Sequence, residues 1–207
     1  DVVGHMTEKD VIPPADHLED DPQHFTRKDT DTFRLYQPLE NEVHEMVKAG
    51  DGYNVHVTGL THDERGYTNI MPPVQDTLVK RLKTKITDNA DKICRVETAN
   101  LDDADVVVVS YGITSRVAER AISLARDRGV KVGKLRLITA WPFPEKAIRE
   151  VAVKVKAFVV PELNLGQMVR EVERCAGGRA RTIAVPHAGG TVHRPEEILK
   201  AILEAAR

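Results

Sequence analysis

The chain has 207 residues, with 30 Lys and Arg against 32 Asp and Glu, so its formal net charge is only −2. This balance argues against general affinity for nucleic acid or for an anionic membrane. No apolar run is long enough to span a bilayer, no signal-peptide pattern opens the chain, and two distant cysteines provide neither a zinc knuckle nor the four thiolates of an iron–sulfur cluster. We therefore expect a reduced, cytoplasmic setting.

The first segment, residues 1–34, is poor in periodic apolar residues and contains three prolines. Its composition predicts a loop or an extended arm. Its histidines are His5, His17 and His24. No i, i+4 pair or carboxylate partner frames them, so we predict no metal site there. The chain begins with Asp1, in residues that read like the inside of a fold, and we expect it to be a C-terminal piece of a longer polypeptide.

Next, the pattern predicts a helix, a strand and a second helix. Apolar residues at helical spacing predict a helix over Pro38–Ala49, with Gly50 as its cap. Tyr53–Thr58 alternates apolar with polar residues and predicts a half-buried strand. It leads into a dense polar cluster at residues 58–66. From Val74 to about Lys92 the spacing predicts a long amphipathic helix. Its basic face, formed by Lys80, Arg81, Lys83 and Lys85, is interpreted as solvated, with docking of a partner or of an acidic ligand as the alternative.

After residue 100 the pattern becomes regular, and we place a domain boundary there, dividing the chain into 1–100 and 101–207. Four strands are predicted, each followed by a helix: Asp105–Ser110, Lys131–Ile138, Ala157–Val160 and Thr182–Val185. Pro144 and Pro195 suit the first positions of two of these helices. Four successive βα units predict an α/β fold with a mostly parallel sheet sandwiched by helices.

The polar cluster supplies the first candidate site, formed by Thr58, Gly59, His62, Asp63 and Glu64. A histidine beside two carboxylates could serve acid–base chemistry or bind a metal. Neighbouring residues of an extended loop point in different directions, however. The alternative is a loop locked by its own hydrogen bonds, with one of the carboxylates capping a turn.

The second group of candidates lies at predicted strand ends, where ligands and partners of α/β sheets gather. These candidates are Tyr111, Gly112, Thr114, Ser115, Glu162, Asn164, Gly189 and Gly190. Free amides at a glycine-rich helix start could hold a phosphate or a carboxylate. Plain turns at the glycines and helix capping by Asn164 explain the same residues. Glu196 and Glu197 would also oppose an anion beside Gly189 and Gly190.

Five stretches, in this order, resemble the alpha subunit of 2-oxoacid:ferredoxin oxidoreductases, most of all its 2-oxoglutarate branch. Two carry the family patterns D-x-x-GHM-x-E and TGL-x-HDE-x-G, and three resemble the family's last domain. The stretches are residues 1–8, 58–66, 108–112, 139–144 and 160–167. Each motif is modest by itself, but together they are specific, and the similarity covers nearly the whole chain.

The resemblance implies a complex that converts a 2-oxoacid and coenzyme A to the acyl-CoA and carbon dioxide. Thiamine diphosphate with magnesium would stabilise the carbanion, and iron–sulfur clusters would pass electrons to ferredoxin. It also implies partner subunits: a thiamine-binding beta subunit, with gamma and delta subunits in addition, in an oligomer. The family's N-terminal motifs have no counterpart here, so we assign no catalytic residue, metal or cofactor to this chain alone, and expect it to serve subunit assembly.

For the fold, the resemblance implies that residues 1–100 contain the remnant of a domain that holds the pyrimidine end of thiamine diphosphate. Residues 101–207 would resemble the C-terminal domain of transketolase, a five-stranded α/β/α sandwich with one antiparallel strand, which Arg95–Thr98 could supply. One alternative is a stand-alone α/β ligand-binding or interaction module with an anion site at a strand end. Another thiamine-dependent dehydrogenase or transketolase relative would share the fold, but the polar loop and the arm argue against it.

Overall fold

A computed structural model describes residues 25–26, 28–37 and 44–207 of the chain. The chain divides into two compact units. One is described over residues 92–207, and the other over the described part of residues 8–91.

The unit at residues 92–207 is built on a five-stranded sheet of order β1-β3-β2-β4-β5. Its strands are β1 (Val96–Ala99), β2 (Val106–Tyr111), β3 (Val132–Leu137), β4 (Ala157–Glu162) and β5 (Arg181–Pro186). The strand β1 pairs antiparallel with β3, and the other neighbours pair in parallel. The four predicted strands are confirmed, as is the antiparallel strand expected near Arg95–Thr98.

Four helices cover the two faces of this sheet: α3 (Thr114–Arg126), α4 (Glu145–Ala152), α5 (Met168–Ala176) and α6 (Pro195–Ala205). One core lies between the sheet and α4 and α5, and the other between the sheet and α3 and α6. The predicted three-layer α/β/α sandwich is therefore confirmed. Gly177 ends α5 in the left-handed conformation, at φ 56°.

The central strand β2 explains why four successive valines occur in this sequence. Val106 and Val108 point into the core beneath α3 and α6, whereas Val107 and Val109 point into the core beneath α4 and α5. All four are at most 1% exposed. Burial of such a side chain contributes about 1.5–3 kcal/mol, so β2 anchors both cores.

The second unit departs from the sequence predictions. Residues 38–43 of the helix predicted at Pro38–Ala49 lie outside the described residues, and residues 44–49 are not helical. Met46 instead forms an isolated parallel bridge with Phe25, so its carbonyl accepts a hydrogen bond from the amide of Thr26 at 2.9 Å. The strand predicted at Tyr53–Thr58 is also wrong. These residues belong to no strand of the described chain, and Val57 is 71% exposed.

The predicted long helix is present but divided into α1 (Pro72–Thr87) and the short α2 (Ala90–Ile93). Pro72 begins α1, at a position where its missing N–H is not needed. The side-chain amide of Asn89 donates to the carbonyl of Lys85 at 2.9 Å, which ends the helix earlier than the apolar spacing predicted. Among the described residues, no helix combines the length and the apolar character that crossing a membrane requires.

Candidate functional site

The carboxyl end of the sheet is organised by Glu162, the last residue of β4, which is only 1% exposed. Its Oε1 accepts the amide of Val169 at 2.8 Å, and its Oε2 accepts the amides of Met168 at 2.8 Å and Gln167 at 3.3 Å. These amides open α5, where a helix has unpaired N–H groups and a positive dipole end. The chain's own carboxylate therefore occupies the place where an external anion could bind.

Tyr111 and Asn164 complete this cluster around Glu162. The Tyr111 hydroxyl lies 3.3 Å from Glu162 Oε2, and Asn164 Nδ2 donates to the same oxygen at 3.1 Å and to the Tyr111 hydroxyl at 3.0 Å. Burial, followed by the charge of Glu162, raises the pKa of Tyr111. The structure thus brings three sequence candidates together, in a network that joins the ends of β2 and β4 to the start of α5.

The turn between β2 and α3 holds the other candidates of that region. Gly112 has φ 55°, a left-handed conformation that favours glycine, and its carbonyl accepts the amide of Ser115 at 3.2 Å. Thr114 and Ser115 are buried, at 4% and 2% exposure. The hydroxyls of Ser110 and Ser115 have no hydrogen-bond partner among the residues that the structure describes.

Gly189 and Gly190 form a turn with φ 104° and 82°, ahead of α6. The amide of Arg194, the N-cap of α6, donates to Glu197 Oε2 at 2.7 Å, so the helix start is again served by the chain's own carboxylate. As the sequence suggested, Glu197 lies where it would oppose a bound anion.

Asp63 orders the polar loop of the second unit. Its Oδ1 accepts the amides of Arg65 at 2.9 Å and Tyr67 at 3.1 Å, and its Oδ2 lies 3.3 Å from the Arg65 guanidinium. Desolvation works to raise the pKa of Asp63, but these hydrogen bonds together hold it below its usual value. Asp63 therefore acts as the capping residue of a turn, which was the alternative to a chemical role.

The neighbours of Asp63 have different surroundings. His62 pairs with Thr68 in an isolated antiparallel bridge, and its Nδ1 lies 2.7 Å from the carbonyl of Leu60. The Thr58 hydroxyl accepts a hydrogen bond from the amide of Leu60 at 3.1 Å. A Cβ atom at Gly59 would have no neighbour within 4 Å among the described residues. Glu64 is exposed, and its backbone carbonyl accepts the amide of Tyr36 at 2.9 Å. In the described chain, no hydrogen bond joins the side chains of His62, Asp63 and Glu64.

His62 lines a cavity of about 560 Å³ in the same unit. Its walls also include Arg34 and Tyr36, which the sequence patterns did not single out, and Arg81, which they placed on the basic face of the helix. The Tyr36 and His62 rings lie 4.1 Å apart. No local signal could have brought this set together, because Tyr36 and Arg81 are 45 positions apart in the chain; in the structure, Arg81 Nη1 donates to the Tyr36 carbonyl at 3.4 Å. In the part of the chain that the structure describes, no group of three or more His, Cys, Asp or Glu side chains is placed to hold a metal ion.

Comparison with known proteins gives matches along the whole chain. Residues 104–198 match the family described as pyruvate:ferredoxin oxidoreductase core domain II. The chain is 45% identical over 204 residues to 2-oxoglutarate synthase subunit KorA of Methanothermobacter marburgensis, covering 98% of this chain and 54% of that protein. It is 42% identical over 205 residues to the same subunit of Methanocaldococcus jannaschii, covering 98% and 54%. The chain therefore spans about half the length of these relatives.

Among solved structures, a chain of 2-oxoglutarate:ferredoxin oxidoreductase from Magnetococcus marinus matches with a TM-score of 0.72. That structure has 2-oxoglutarate, coenzyme A and succinyl-CoA bound. The match covers 88% of this chain and 32% of the other, at 23% sequence identity, and so supports the fold.

Proposed function

We propose that this chain, whose residues 104–198 match the core domain II of pyruvate:ferredoxin oxidoreductase, belongs to the 2-oxoacid:ferredoxin oxidoreductases as the C-terminal part of their alpha subunit. The complete complex would oxidatively decarboxylate a 2-oxoacid to its acyl-CoA and reduce ferredoxin. The observation that carries this proposal is the 45% identity to a 2-oxoglutarate synthase subunit over 98% of the chain. That identity also favours 2-oxoglutarate as the 2-oxoacid.

Within the complex, this part of the subunit would serve assembly rather than chemistry. At the sheet end, the carboxylates of Glu162 and Glu197 are engaged by the amides of their own chain, which supports a structural role for that edge. Residues 101–207 would form the domain similar to the transketolase C-terminal domain, and residues 1–100 the remnant of the thiamine-binding domain with its connecting helix.

The surface of residues 44–91 supports the assembly role. α1 has no buried residue, although its sequence is amphipathic. Large apolar side chains are more than 60% exposed at Val57, Leu60, Ile70 and Met71. Exposed apolar residues in such number are typical of surfaces that pack against another protein or another part of the same protein. We assign them to contacts with the thiamine-binding beta subunit and with the rest of the alpha subunit.

The cofactors of the complex would lie mainly outside this chain. An iron–sulfur cluster needs four ligands, usually cysteines, whereas this chain has two cysteines, Cys94 and Cys175, the second of them buried. We therefore assign the clusters to gamma or delta subunits. Thiamine diphosphate, its magnesium ion and coenzyme A would be held by the beta subunit and the remainder of the alpha subunit, in a cytoplasmic oligomer.

A binding experiment with surface variants tests the assembly role. Ile70→Asp places a charge on the exposed surface of residues 44–91, and Val153→Asp makes the same change on a side chain of the other unit that is 64% exposed. We expect Ile70→Asp in the full alpha subunit to weaken co-purification with the beta subunit, and Val153→Asp to leave it unchanged. Full association of the Ile70→Asp variant, or equal loss in both, would contradict the assignment of this surface.

A further inference from the structure

The cavity beside the polar loop contains positive charge that the described chain does not neutralise. Three arginines line it, Arg34, Arg65 and Arg81. Arg65 is paired with Asp63 at 3.3 Å. Arg34 donates through Nη1 only to the backbone carbonyls of residues 31 and 33, and Arg81 donates through Nη1 only to the carbonyl of Tyr36, at a long 3.4 Å. Neither of these two guanidinium groups contacts a carboxylate of the described residues.

Two nitrogen atoms at this cavity are buried and have no hydrogen-bond partner among the described residues, Nε of Arg81 and Nε2 of His62. A third such atom, Nε2 of His44, belongs to a ring that lies 5.7 Å from the Tyr36 ring and lines a separate small cavity. A buried polar atom without a hydrogen bond is unfavourable, and native proteins rarely leave several in one cluster unless a ligand or water serves them. The Nε–H of Arg81 is always a donor and therefore indicates a place for an acceptor, whereas Nε2 of His62 donates or accepts according to the tautomer of the ring.

The electrostatic environment agrees with this geometry. Burial, followed by the charges of Arg81 and Lys85 and a smaller effect of His62, lowers the pKa of His44. Desolvation likewise lowers the pKa of Arg81. The exposed carboxylate of Glu64 lies on the rim and opposes an anion, but it balances only one of the two unpaired arginines.

The cavity also has apolar lining. Pro73, Val74 and Leu78 of α1 contribute it, together with the polar Thr77. The volume of about 560 Å³ lies within the range of sites for small organic molecules. An occupant would thus present an acidic group to the arginines and an apolar body to these three side chains.

We propose that this cavity, between residues 34–36, the His62 loop and α1, binds a small organic anion through Arg34 and Arg81. The acidic group is a carboxylate or a phosphate monoester, since the planar guanidinium fork matches the oxygens of both. Nη2 of Arg81 and Nη2 of Arg34, which make no hydrogen bond in the described chain, are the groups left to meet it. The inference is independent of the proposed assembly role, because it concerns a site within one unit of the chain.

Titration of the 207-residue chain with simple probes tests the proposal. The probes are benzoate for the carboxylate, phenyl phosphate for the phosphate, and benzamide as a neutral analogue of the same shape, all at constant ionic strength. Binding is followed by NMR, through the arginine Nε–H signals and the His62 ring. We expect saturable shifts at Arg81 and His62 with at least one of the anions, and none with benzamide. The stronger anion identifies the acidic group.

Matched variants separate the site from general charge effects. Arg81→Gln should weaken binding about ten-fold or more, as expected for the loss of a charge-assisted hydrogen bond. Lys83→Gln removes the same charge from an exposed position of the same helix and should leave binding unchanged. If Arg81→Gln fails to fold, as judged by the amide spectrum, Arg34→Gln serves in its place. No saturable shift with either anion at tens of millimolar, or equal weakening by Lys83→Gln, overturns the proposal.

Discussion

Replacement of Glu162 by alanine should weaken the fold strongly, because this carboxylate serves as the N-terminal cap of α5 from the preceding strand. The substitution removes the acceptor of three backbone amides and of two side-chain donors, from Tyr111 and Asn164, in a place that is 1% exposed. A hydrogen bond to a charged group is worth about 1.5–3 kcal/mol, and such bonds to one carboxylate are not additive. We therefore expect Glu162→Ala to lower the free energy of unfolding by about 3–5 kcal/mol.

Glu162→Gln keeps the shape of the side chain but turns an amide nitrogen toward hydrogen-bond donors. We expect it to lower the free energy of unfolding by about 2–3 kcal/mol. The control is Glu173→Gln on the exposed face of the same helix, which should change stability by less than about 0.5 kcal/mol. The assay is urea unfolding of the chain, combined with hydrogen exchange of the amides of residues 167–169. A Glu162→Ala variant as stable as the control, with normal protection of these amides, would refute the capping role.

Three further predictions concern other parts of the chain. Gly66→Ala should loosen the His62 loop and lower stability by more than about 1 kcal/mol, since the new Cβ would lie 1.9 Å from a backbone oxygen at φ +91°, whereas Gly59→Ala meets nothing and should be neutral in thermal unfolding. Lys134→Met leaves two carboxylates without the buried ammonium between them and should cost about 1–2 kcal/mol in urea unfolding; stability equal to wild type would contradict this. Hydrogen bonds from two arginines lower the pKa of Glu145 to about 2, so its contribution is present above about pH 4.5 and is lost as the pH falls toward 2; a Glu145→Gln variant with the same acid dependence as wild type would show that this group does not matter.

Much of the α/β unit could be predicted from the sequence, because its elements are defined by local patterns. The valines of β2 suit a strand that is buried on both faces. The helices show one apolar face, α5 is capped by Gly177 and α6 begins at Pro195, whereas Pro144 is the N-cap of α4 and not its first residue. The prediction of a strand at Tyr53–Thr58 is wrong for a physical reason. Alternation makes a strand possible, but a strand also needs a partner to pair with, and none lies among the described residues.

The sites were predictable only in part. The sequence indicated Glu162, Asn164 and Tyr111 as a group at strand ends, since the carboxyl ends of parallel strands share one edge. It could not show that the carboxylate turns back onto α5, because that depends on the path of the connecting loop. The sequence placed Arg81 on a basic face that could meet an acidic ligand, but it could not show the cavity beside His62, since Arg34 and Arg81 line one cavity only through the fold.

The most direct test of the proposed function is the oxoacid-dependent reduction of ferredoxin by the full alpha subunit together with its beta subunit and any gamma and delta subunits. We predict that the complex reduces ferredoxin with 2-oxoglutarate and coenzyme A and forms succinyl-CoA, while the 207-residue chain alone is inactive. An alpha subunit that neither joins such a complex nor changes its turnover would contradict the proposal. Activity with another 2-oxoacid but not with 2-oxoglutarate would retain the family role and overturn the assignment of the substrate.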